Sequence, residues 1–304
     1  MYIACDIGGT KFRVAKSHDN VNFDEPVILD TPNNPTDGLR FIADTVLNLT
    51  KGQKITSAVF GIAGVLDQEH NFLIKSPHLP AWENIPLKEF FEKEFGAAGG
   101  KNSNNASNNS SANNSSNSLG FFSRIFGRTE ARSPEIFIEN DTDIVGLGEA
   151  VAGAGLGFEI VVYITVSTGI GGAKIVSGKF EKNRYGFEPG FQILNNQTGQ
   201  NWEDISSGTV VEQKYKMHPK DVAKTPAWAE VERNVAIGIH NSILHWSPDV
   251  VVVGGSMARD FNFENLKKEI SSMMKIHPKI PEIKMAELGS IGGIHGGFAF
   301  LRSR

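Results

Sequence analysis

The sequence predicts an α/β protein with two lobes. Strand-like and helix-like patterns alternate along most of the chain, and glycine clusters follow three separate predicted strands. The length of 304 residues is about twice that of a typical domain of roughly 150 residues. We therefore expect two α/β lobes, each with its own sheet and core.

Composition excludes several other classes of protein. Thirty basic and 34 acidic side chains give a formal net charge of −4 without a basic stripe, which argues against nucleic acid as a partner. The chain begins without a secretion signal, and its apolar runs are too short to span a membrane. Cys5 is the sole cysteine, so an intramolecular disulfide is impossible. We expect a cytoplasmic protein.

The first half of the chain begins with a predicted meander of three strands. In order, the predicted elements are strands over residues 2–5, 11–16 and 27–30, a helix over 36–50, a strand over 55–62 and a helix over 86–96. Thr36 or Asp37 is expected to cap the first helix, and Pro86 suits the first turn of the second. This alternation is typical of one α/β lobe.

A compositionally distinct segment follows. Residues 102–118 contain only Asn, Ser and Ala, which cannot bury enough apolar surface to offset the entropy cost of ordering. We therefore predict a disordered insertion over about residues 97–133. Within it, residues 119–128 mix phenylalanine with arginine, which suits either a docking peptide or, as we favour, a short helix that covers the body.

Regular alternation resumes after the insertion. The predicted elements are strands over residues 135–138, 160–166, 173–176, 249–255 and 283–286, and helices over 143–154, 202–216, 226–246, 261–275 and 289–301. Thr225 is expected to cap the helix that starts at Pro226. The last helix is rich in small residues, so we expect it to pack closely against another element. These elements indicate a second α/β lobe.

Three glycine clusters each follow a predicted strand. They are Asp6-Ile-Gly-Gly-Thr-Lys11, Ser167-Thr-Gly-Ile-Gly-Gly172 and Val253-Gly-Gly-Ser256. Glycine lets the backbone turn sharply and present N–H groups to phosphate oxygens, threonine adds a hydroxyl donor, and aspartate can orient hydrated Mg²⁺. One such cluster alone is more often a plain turn. The Walker and dinucleotide-binding glycine signatures are both missing.

In this order, the clusters resemble the phosphate-1, phosphate-2 and adenosine motifs of the actin-like ATPase superfamily, and specifically the ROK family (repressor, open reading frame, kinase). The resemblance covers nearly the whole chain outside the insertion. Its matching stretches are residues 6–11, 60–64, 77–82, 139–142, 165–180, 248–257 and the final helix. It implies a ribonuclease H-like fold with an active-site cleft between an N-terminal lobe (1–141, completed by a helix at about 290–304) and a C-terminal lobe (142–289).

The resemblance implies a sugar kinase rather than a repressor, because the repressors carry a DNA-binding domain ahead of a motif that starts here at residue 6. We expect a glucokinase-like enzyme that uses ATP and Mg²⁺ to phosphorylate the 6-hydroxyl of glucose. Fructose, mannose or an N-acetylhexosamine as substrate, polyphosphate as donor, and a non-catalytic sugar-sensing or scaffold protein stay open as alternatives. ROK relatives also imply a homo-oligomer, in the first instance a dimer.

The resemblance also assigns roles to individual residues. Asp141 is expected to be the catalytic base, although the residues alone suit a helix cap. The expected sugar-binding residues are Gly64, Asn140, Asp141, Glu188 and Glu203. The expected nucleotide-binding residues are Gly8, Gly9, Thr10, Lys11, Thr168, Gly169, Gly254 and Gly255. Asp6 is expected to reach Mg²⁺ through water, and Lys11 is alternatively an exposed strand residue.

Two departures from the family pattern concern the sugar pocket. The usual ROK zinc site has a histidine where Phe191 stands here and a cysteine-rich run where residues 195–202 contain no cysteine, so we predict no zinc. The same histidine normally contacts the sugar, and an aromatic ring stacks on a sugar but accepts no hydroxyl proton. Phe191 therefore leaves the identity of the hexose open. Residues 78–82 should complete the pocket wall, with Trp82 either in the wall or purely structural.

Overall fold

The computed structural model describes residues 1–100 and 133–304. The predictions for residues 102–118 and 119–128 lie outside the described residues, but residues 97–100, which were assigned to the disordered insertion, belong to a helix that continues to Gly100. The strands are β1 (Tyr2–Ile7), β2 (Lys11–Ser17), β3 (Val27–Asp30), β4 (Ser57–Ile62), β5 (Val65–Leu66), β6 (Leu73–Lys75), β7 (Glu135–Asn140), β8 (Ile160–Val166), β9 (Ile170–Val176), β10 (Lys179–Phe180), β11 (Ile193–Asn195), β12 (Gln200–Asn201), β13 (Val250–Gly254) and β14 (Glu282–Met285). The helices are α1 (Pro35–Thr50), α2 (Leu87–Gly100), α3 (Asp141–Ala152), α4 (Glu203–Ser206), α5 (Gly208–Tyr215), α6 (Pro219–Val222), α7 (Trp228–Trp246), α8 (Phe263–Met273) and α9 (Gly292–Arg302).

The first sheet has the strand order β3-β2-β1-β4-β7. Its first three strands form an antiparallel meander, which confirms that prediction. Strands β1, β4 and β7 run parallel, and Ile7, Ile62 and Asn140 lie side by side at their ends. Because the carboxyl ends of parallel strands meet at one edge, the Gly8 turn, residue 63 and Asp141 share that edge.

The second sheet has the order β10-β9-β8-β13-β14. Strands β8 and β9 form an antiparallel hairpin, while β8, β13 and β14 run parallel. Thr165 near the end of β8 pairs in register with Gly254 at the end of β13. The second and third glycine clusters are therefore neighbours at the carboxyl edge of this sheet.

Helices α3 and α9 pack against each other between the two sheets. A Cβ atom at Gly296 of α9 would overlap the Ile144 carbonyl oxygen of α3, and one at Gly148 would overlap the Gly292 carbonyl oxygen. Small residues are therefore needed for this close approach, as predicted for the last helix. That helix begins at Gly292, after a short 3₁₀ turn over Gly289–Ile291. Among the described residues, no helix is long and apolar enough to cross a bilayer.

Several predicted helix boundaries were wrong because of local capping. Asn34 caps α1 by accepting from the Asp37 N–H at 3.1 Å, so neither Thr36 nor Asp37 is the cap. The single helix predicted over 202–216 is two helices, because Ser207 leaves the helical conformation and its hydroxyl caps α5. Thr225 does not cap α7: its hydroxyl donates to the Val222 carbonyl oxygen of the preceding turn.

Candidate active site

A cavity of about 520 Å³ lies between the two glycine hairpins, the β1–β2 turn and the β8–β9 turn. Many of the predicted site residues line it: Gly8, Gly9, Thr10, Gly64, Asn140, Asp141, Thr168, Gly169, Glu188 and Glu203. They come from both halves of the chain, and they include residues predicted to bind a sugar and residues predicted to bind a nucleotide. We call this space the first cavity.

A second cavity of about 590 Å³ is lined by three more predicted residues of the glycine clusters, Asp6, Gly254 and Gly255. Gly255 has a φ of +91°, and a Cβ atom there would overlap the Val166 carbonyl oxygen of the neighbouring strand. A third cavity of about 290 Å³ is lined by Thr168 and Ser256 among others. The predicted nucleotide-binding residues are therefore divided among adjoining cavities rather than gathered in one.

Lys11 lies outside these cavities, which differs from its predicted place near the transferred phosphate. It is the register partner of Asp30 on β3, and its Nζ lies 2.7 Å from the Asp30 carboxylate. Both side chains are at least half exposed, so the pair contributes little to stability. The alternative of an exposed strand residue describes Lys11 better.

Asn140 and Asp141 are positioned by the junction between β7 and α3. The Asn140 Oδ1 accepts from the Thr142 and Asp143 N–H groups, so Asn140 is the helix cap. Its Nδ2 donates to the Gly64 carbonyl oxygen at 2.8 Å, which ties the junction to the opposite wall. Asp141 is the first helical residue and accepts from the Thr142 N–H at 2.8 Å. The capping role and the role predicted for a base thus fall on different residues.

Glu203 lies beneath the β8–β9 turn. Its Oε2 accepts from the Ile170 N–H at 2.7 Å, and a Cβ atom at Gly169 would lie 2.8 Å from the same oxygen. The preceding Trp202 is fully buried against Gly238 of α7, which fixes the start of α4. Glu203 therefore supports the turn while its carboxylate also lines the first cavity.

Glu188 and Phe191 lie at the side of the first cavity, around the 3₁₀ turn over Pro189–Phe191. Phe187 bridges to Gly172 of β9, and a Cβ atom at Gly190 would overlap the Ile170 carbonyl oxygen, so this segment is held against the hairpin. The Phe191 ring is 55% exposed although it lines the cavity. An exposed aromatic face is thus available beside a carboxylate.

The remaining wall comes from Gly64 and the loop after β6. Gly64 has a φ of +134°, which favours glycine, and a Cβ atom there would overlap the Lys75 carbonyl oxygen. Pro77 and His78 line the cavity. Trp82 is fully buried in the core of the first sheet and contributes nothing to the wall. Of the two predicted alternatives for Trp82, the purely structural one therefore applies.

Carboxyl groups dominate the electrostatics of the cleft. Burial and the nearby charge of Asp141 raise the pKa of Asp6 to about 7, against the opposing effect of Arg13. Partial removal from water, with the charges of Glu203 and Asp141, raises the pKa of Glu188 to about 7. Burial also raises the pKa of Asp141, although the Thr142 N–H opposes the shift. A cation placed among these groups would relieve their mutual repulsion.

Asp143 was not predicted and lies in another cavity, with His70 and Glu139. Burial, followed by the charges of Glu139 and Asp141, raises its pKa to about 7, while His70 opposes the shift. The folded protein therefore binds a proton at Asp143 more tightly than the unfolded chain, so this group costs stability as pH rises from about 4 through 7.

We expect Asp143→Asn to raise the melting temperature at pH 8 by roughly 2 °C or more and to raise it less at pH 5, where the folded wild-type carboxyl is protonated and only the unfolded one is ionised. Scanning calorimetry at both pH values measures this difference. Asp44→Asn, an exposed position on α1, is the matched control. A lower melting temperature of Asp143→Asn at pH 8 would contradict the prediction.

The ROK family profile matches residues 2–106 and 113–304. A glucokinase from Thermotoga maritima is 24% identical, with 99% of this chain and 97% of the relative covered. An N-acetyl-D-glucosamine kinase from Histophilus somni is 23% identical over the full length of both chains.

Solved structures show the same fold. A ROK hexokinase from Thermus thermophilus superposes with a TM-score of 0.77 at 21% identity, covering 99% of this chain and 98% of that one. A ROK family glucokinase from Streptomyces griseus, in complex with glucose and AMPPNP, gives a TM-score of 0.72 at 20% identity, covering 100% and 99%. The two sheets and their intervening helices thus form the actin-like ATPase fold that the sequence predicted. Since the family profile spans nearly all of the sequence, the chain belongs to the ROK family.

Proposed function

We propose that this protein is a sugar kinase that transfers the γ-phosphoryl group of ATP to the 6-hydroxyl of a hexose, with glucose as the preferred candidate. The observation that carries the proposal is the position of Asp141. Its carboxyl group lines the same cavity as both glycine hairpins and as Glu188 and Glu203. A base, hydroxyl-binding acceptors and phosphate-binding turns therefore surround one space of suitable size.

The proposed reaction requires little covalent chemistry from the protein. The oxygen of the sugar 6-hydroxyl forms a bond to the γ-phosphorus, and the bond from that phosphorus to the β–γ bridging oxygen breaks. ADP leaves with the electron pair of that bond, and the hydroxyl proton passes to the Asp141 carboxylate. The raised pKa of Asp141 makes its carboxylate a stronger proton acceptor than an exposed aspartate.

Hydroxyl and N–H groups of the two hairpins are suited to the donor phosphates. Thr10 and Thr168 supply hydroxyls at the first cavity, and glycines beside them leave the backbone accessible. These groups tolerate any phosphate chain, so they suit polyphosphate as well as ATP. Thr168 lines both the first and the third cavity, and the third cavity is the candidate space for a nucleoside.

Mg²⁺ fits the chemistry of this site. Over residues 1–100 and 133–304, no group of three or more His, Cys, Asp or Glu side chains is placed to hold a metal ion by itself. Mg²⁺ commonly keeps several waters and binds through one carboxylate together with substrate phosphates. Asp6 is the carboxylate that would hold it through water, and the bound ion would neutralise charge on the phosphates. The absence of zinc stays a prediction.

Glu188 and Glu203 are the proposed hydroxyl acceptors of the sugar. A hydroxyl that is lost or misplaced leaves such an acceptor unpaired, at a cost of about 1 to 3 kcal/mol, so the pair can discriminate between epimers. We expect Asn140 to contribute less to sugar binding, because its amide nitrogen and its amide oxygen both already form hydrogen bonds within the protein. Phe191 offers an apolar face instead of an acceptor.

Fructose, mannose and N-acetylhexosamines stay as alternative substrates. The homodimer, the cytoplasmic location and the lobe boundary at residue 141 stay predictions.

The test is a coupled assay of ADP release with ATP and Mg²⁺ across glucose, mannose, fructose, N-acetylglucosamine and N-acetylmannosamine, with polyphosphate as a second donor and glucose 6-phosphate as its readout. We expect strong turnover on one hexose, with glucose first. Asp141→Ala serves as the blank. The sugar-sensing or scaffold alternative would be favoured if calorimetry detects sugar binding but no sugar, with either donor, gives turnover above that blank.

A further inference from the structure

Arg13 lies in the second cavity, opposite Asp6. The two residues are register partners across the β1–β2 ladder, which places their side chains on the same face of the sheet. The Arg13 Nη1 lies 3.5 Å from the Asp6 Oδ2, and the two side chains are only 22% and 12% exposed. A guanidinium group therefore lies beside the carboxylate that is expected to hold Mg²⁺ through water.

Asp6 does not satisfy this guanidinium group. The Nε of Arg13 is buried, and within the described chain it has no hydrogen-bond partner. At 3.5 Å, the contact between Nη1 and Asp6 is an ion pair with a long separation for a hydrogen bond. A buried donor without a partner is costly, whereas a guanidinium group offers five donors that match the oxygens of a phosphate. The unused donors point to an anionic ligand.

The other groups of the second cavity suit the same kind of ligand. Arg259 and Ser256 line it beside the Gly254-Gly255 turn. Among the described residues, the Arg259 side chain forms no hydrogen bond or ion pair, and a Cβ atom at Gly289 would lie 3.8 Å from its Nη2. The buried Glu149 carboxylate in the same wall already accepts from the backbone N–H groups of residues 154, 287 and 288. The guanidinium donors of Arg13 and Arg259 are thus available to a ligand, whereas the Ser256 Oγ already lies 3.0 Å from the Ser167 Oγ.

We propose that Arg13 binds the phosphate chain of the phosphoryl donor. The proposal rests on the proposed kinase function and adds a residue to which neither the sequence motifs nor the family resemblance gave a role. The turn that follows Asp6 lines the first cavity, while Asp6 and Arg13 line the second, so one strand–turn segment contributes residues to both cavities. Arg13 holds a phosphate beyond the one that is transferred. Nucleoside diphosphates and inorganic polyphosphate share this chemistry.

The test measures binding rather than turnover. Isothermal titration with ADP, with tripolyphosphate and with glucose, in EDTA to remove divalent cations, is compared for wild type, Arg13→Met and Arg13→Lys. We expect Arg13→Met to weaken phosphate-chain binding about 10- to 100-fold and Arg13→Lys to restore part of it, with glucose affinity unchanged. An effect on ADP alone identifies a nucleotide donor, and an effect on tripolyphosphate alone identifies a polyphosphate donor. Arg233→Met, an exposed arginine on α7, is the matched control.

A double-mutant cycle separates phosphate binding from simple neutralisation of Asp6. If Arg13 binds phosphate, Arg13→Met weakens ADP or tripolyphosphate binding in an Asp6→Asn background as well. If it only neutralises Asp6, the Arg13 effect disappears in that background, and the proposal is overturned. Unchanged ADP and tripolyphosphate affinity in Arg13→Met, with the wild type active as a kinase, would also overturn it while leaving the proposed function intact.

Discussion

Replacing Asp141 with alanine is expected to lower kcat about 10²- to 10⁴-fold while the KM for the hexose changes much less. The reason is that a base acts only as the hydroxyl oxygen attacks, so its removal affects the transition state more than the bound sugar. Steady-state kinetics with the best hexose from the substrate screen measure both constants. A variant that turns over at the wild-type rate would contradict the assignment of the base even if the kinase activity stands.

Asp141→Asn isolates the proton-accepting role from the structural one. The amide oxygen can still accept from the Thr142 N–H, as the carboxylate does at 2.8 Å, so the start of α3 should be preserved. We expect a comparable loss of kcat with an unchanged or higher melting temperature, because burial disfavours the charged form. Asp143→Asn, two residues along the same helix but in a different cavity, is the matched control.

The pH profile gives a second readout of the same group. Because burial raises the pKa of Asp141 above its ordinary value, kcat/KM should fall with decreasing pH well before an exposed aspartate would protonate. Glu188, with a pKa of about 7, should add to the acid limb of this profile through sugar binding. An acid limb centred near pH 4 would show that the Asp141 carboxyl titrates as if exposed to water.

Local signals account for most of what the sequence predicted. The Gly8-Gly9 and Thr168-Gly169 turns could be placed because glycines between apolar strands mark a change of direction over a few residues. The close packing of the last helix followed from its small residues, and Gly148 and Gly296 show why they are needed. These features depend on neighbours in sequence or on one pattern repeated along a helix.

Features that depend on register or on capping were harder to predict. Lys11 and Arg13 sit two residues apart on β2, yet Lys11 pairs with Asp30 whereas Arg13 faces Asp6. The strands predicted over residues 2–5 and 11–16 did not include Asp6, so they did not show that Arg13 would oppose it. Asn140 was expected to contact the sugar, but its amide also caps α3. This second role was not predicted, because the motif alone does not show which polar groups form hydrogen bonds with the backbone.

After Asp141, Glu203 is the residue whose replacement we expect to lower kcat/KM for the hexose most. Its carboxylate lines the first cavity and also accepts from the Ile170 N–H at 2.7 Å, directly after the β8–β9 turn. Removing it takes away a proposed hydroxyl acceptor and leaves a backbone donor without a partner, and each loss costs about 1 to 3 kcal/mol. Both losses occur at one point, where the proposed sugar-binding carboxylate supports the β8–β9 turn.

Glu203→Ala should therefore lower kcat/KM for the hexose about 10²- to 10³-fold, mainly through KM. Glu203→Gln keeps an oxygen for the Ile170 N–H while removing the charge, so we expect a smaller loss, near tenfold. Asp204→Asn is the matched control, because Asp204 is the next residue of α4 and lines a different groove. Equal losses in the Gln and Ala variants would assign the effect to the charge alone. A loss in Glu203→Ala that equals the loss in Asp204→Asn would show that Glu203 supports only the fold of α4 and binds no hydroxyl.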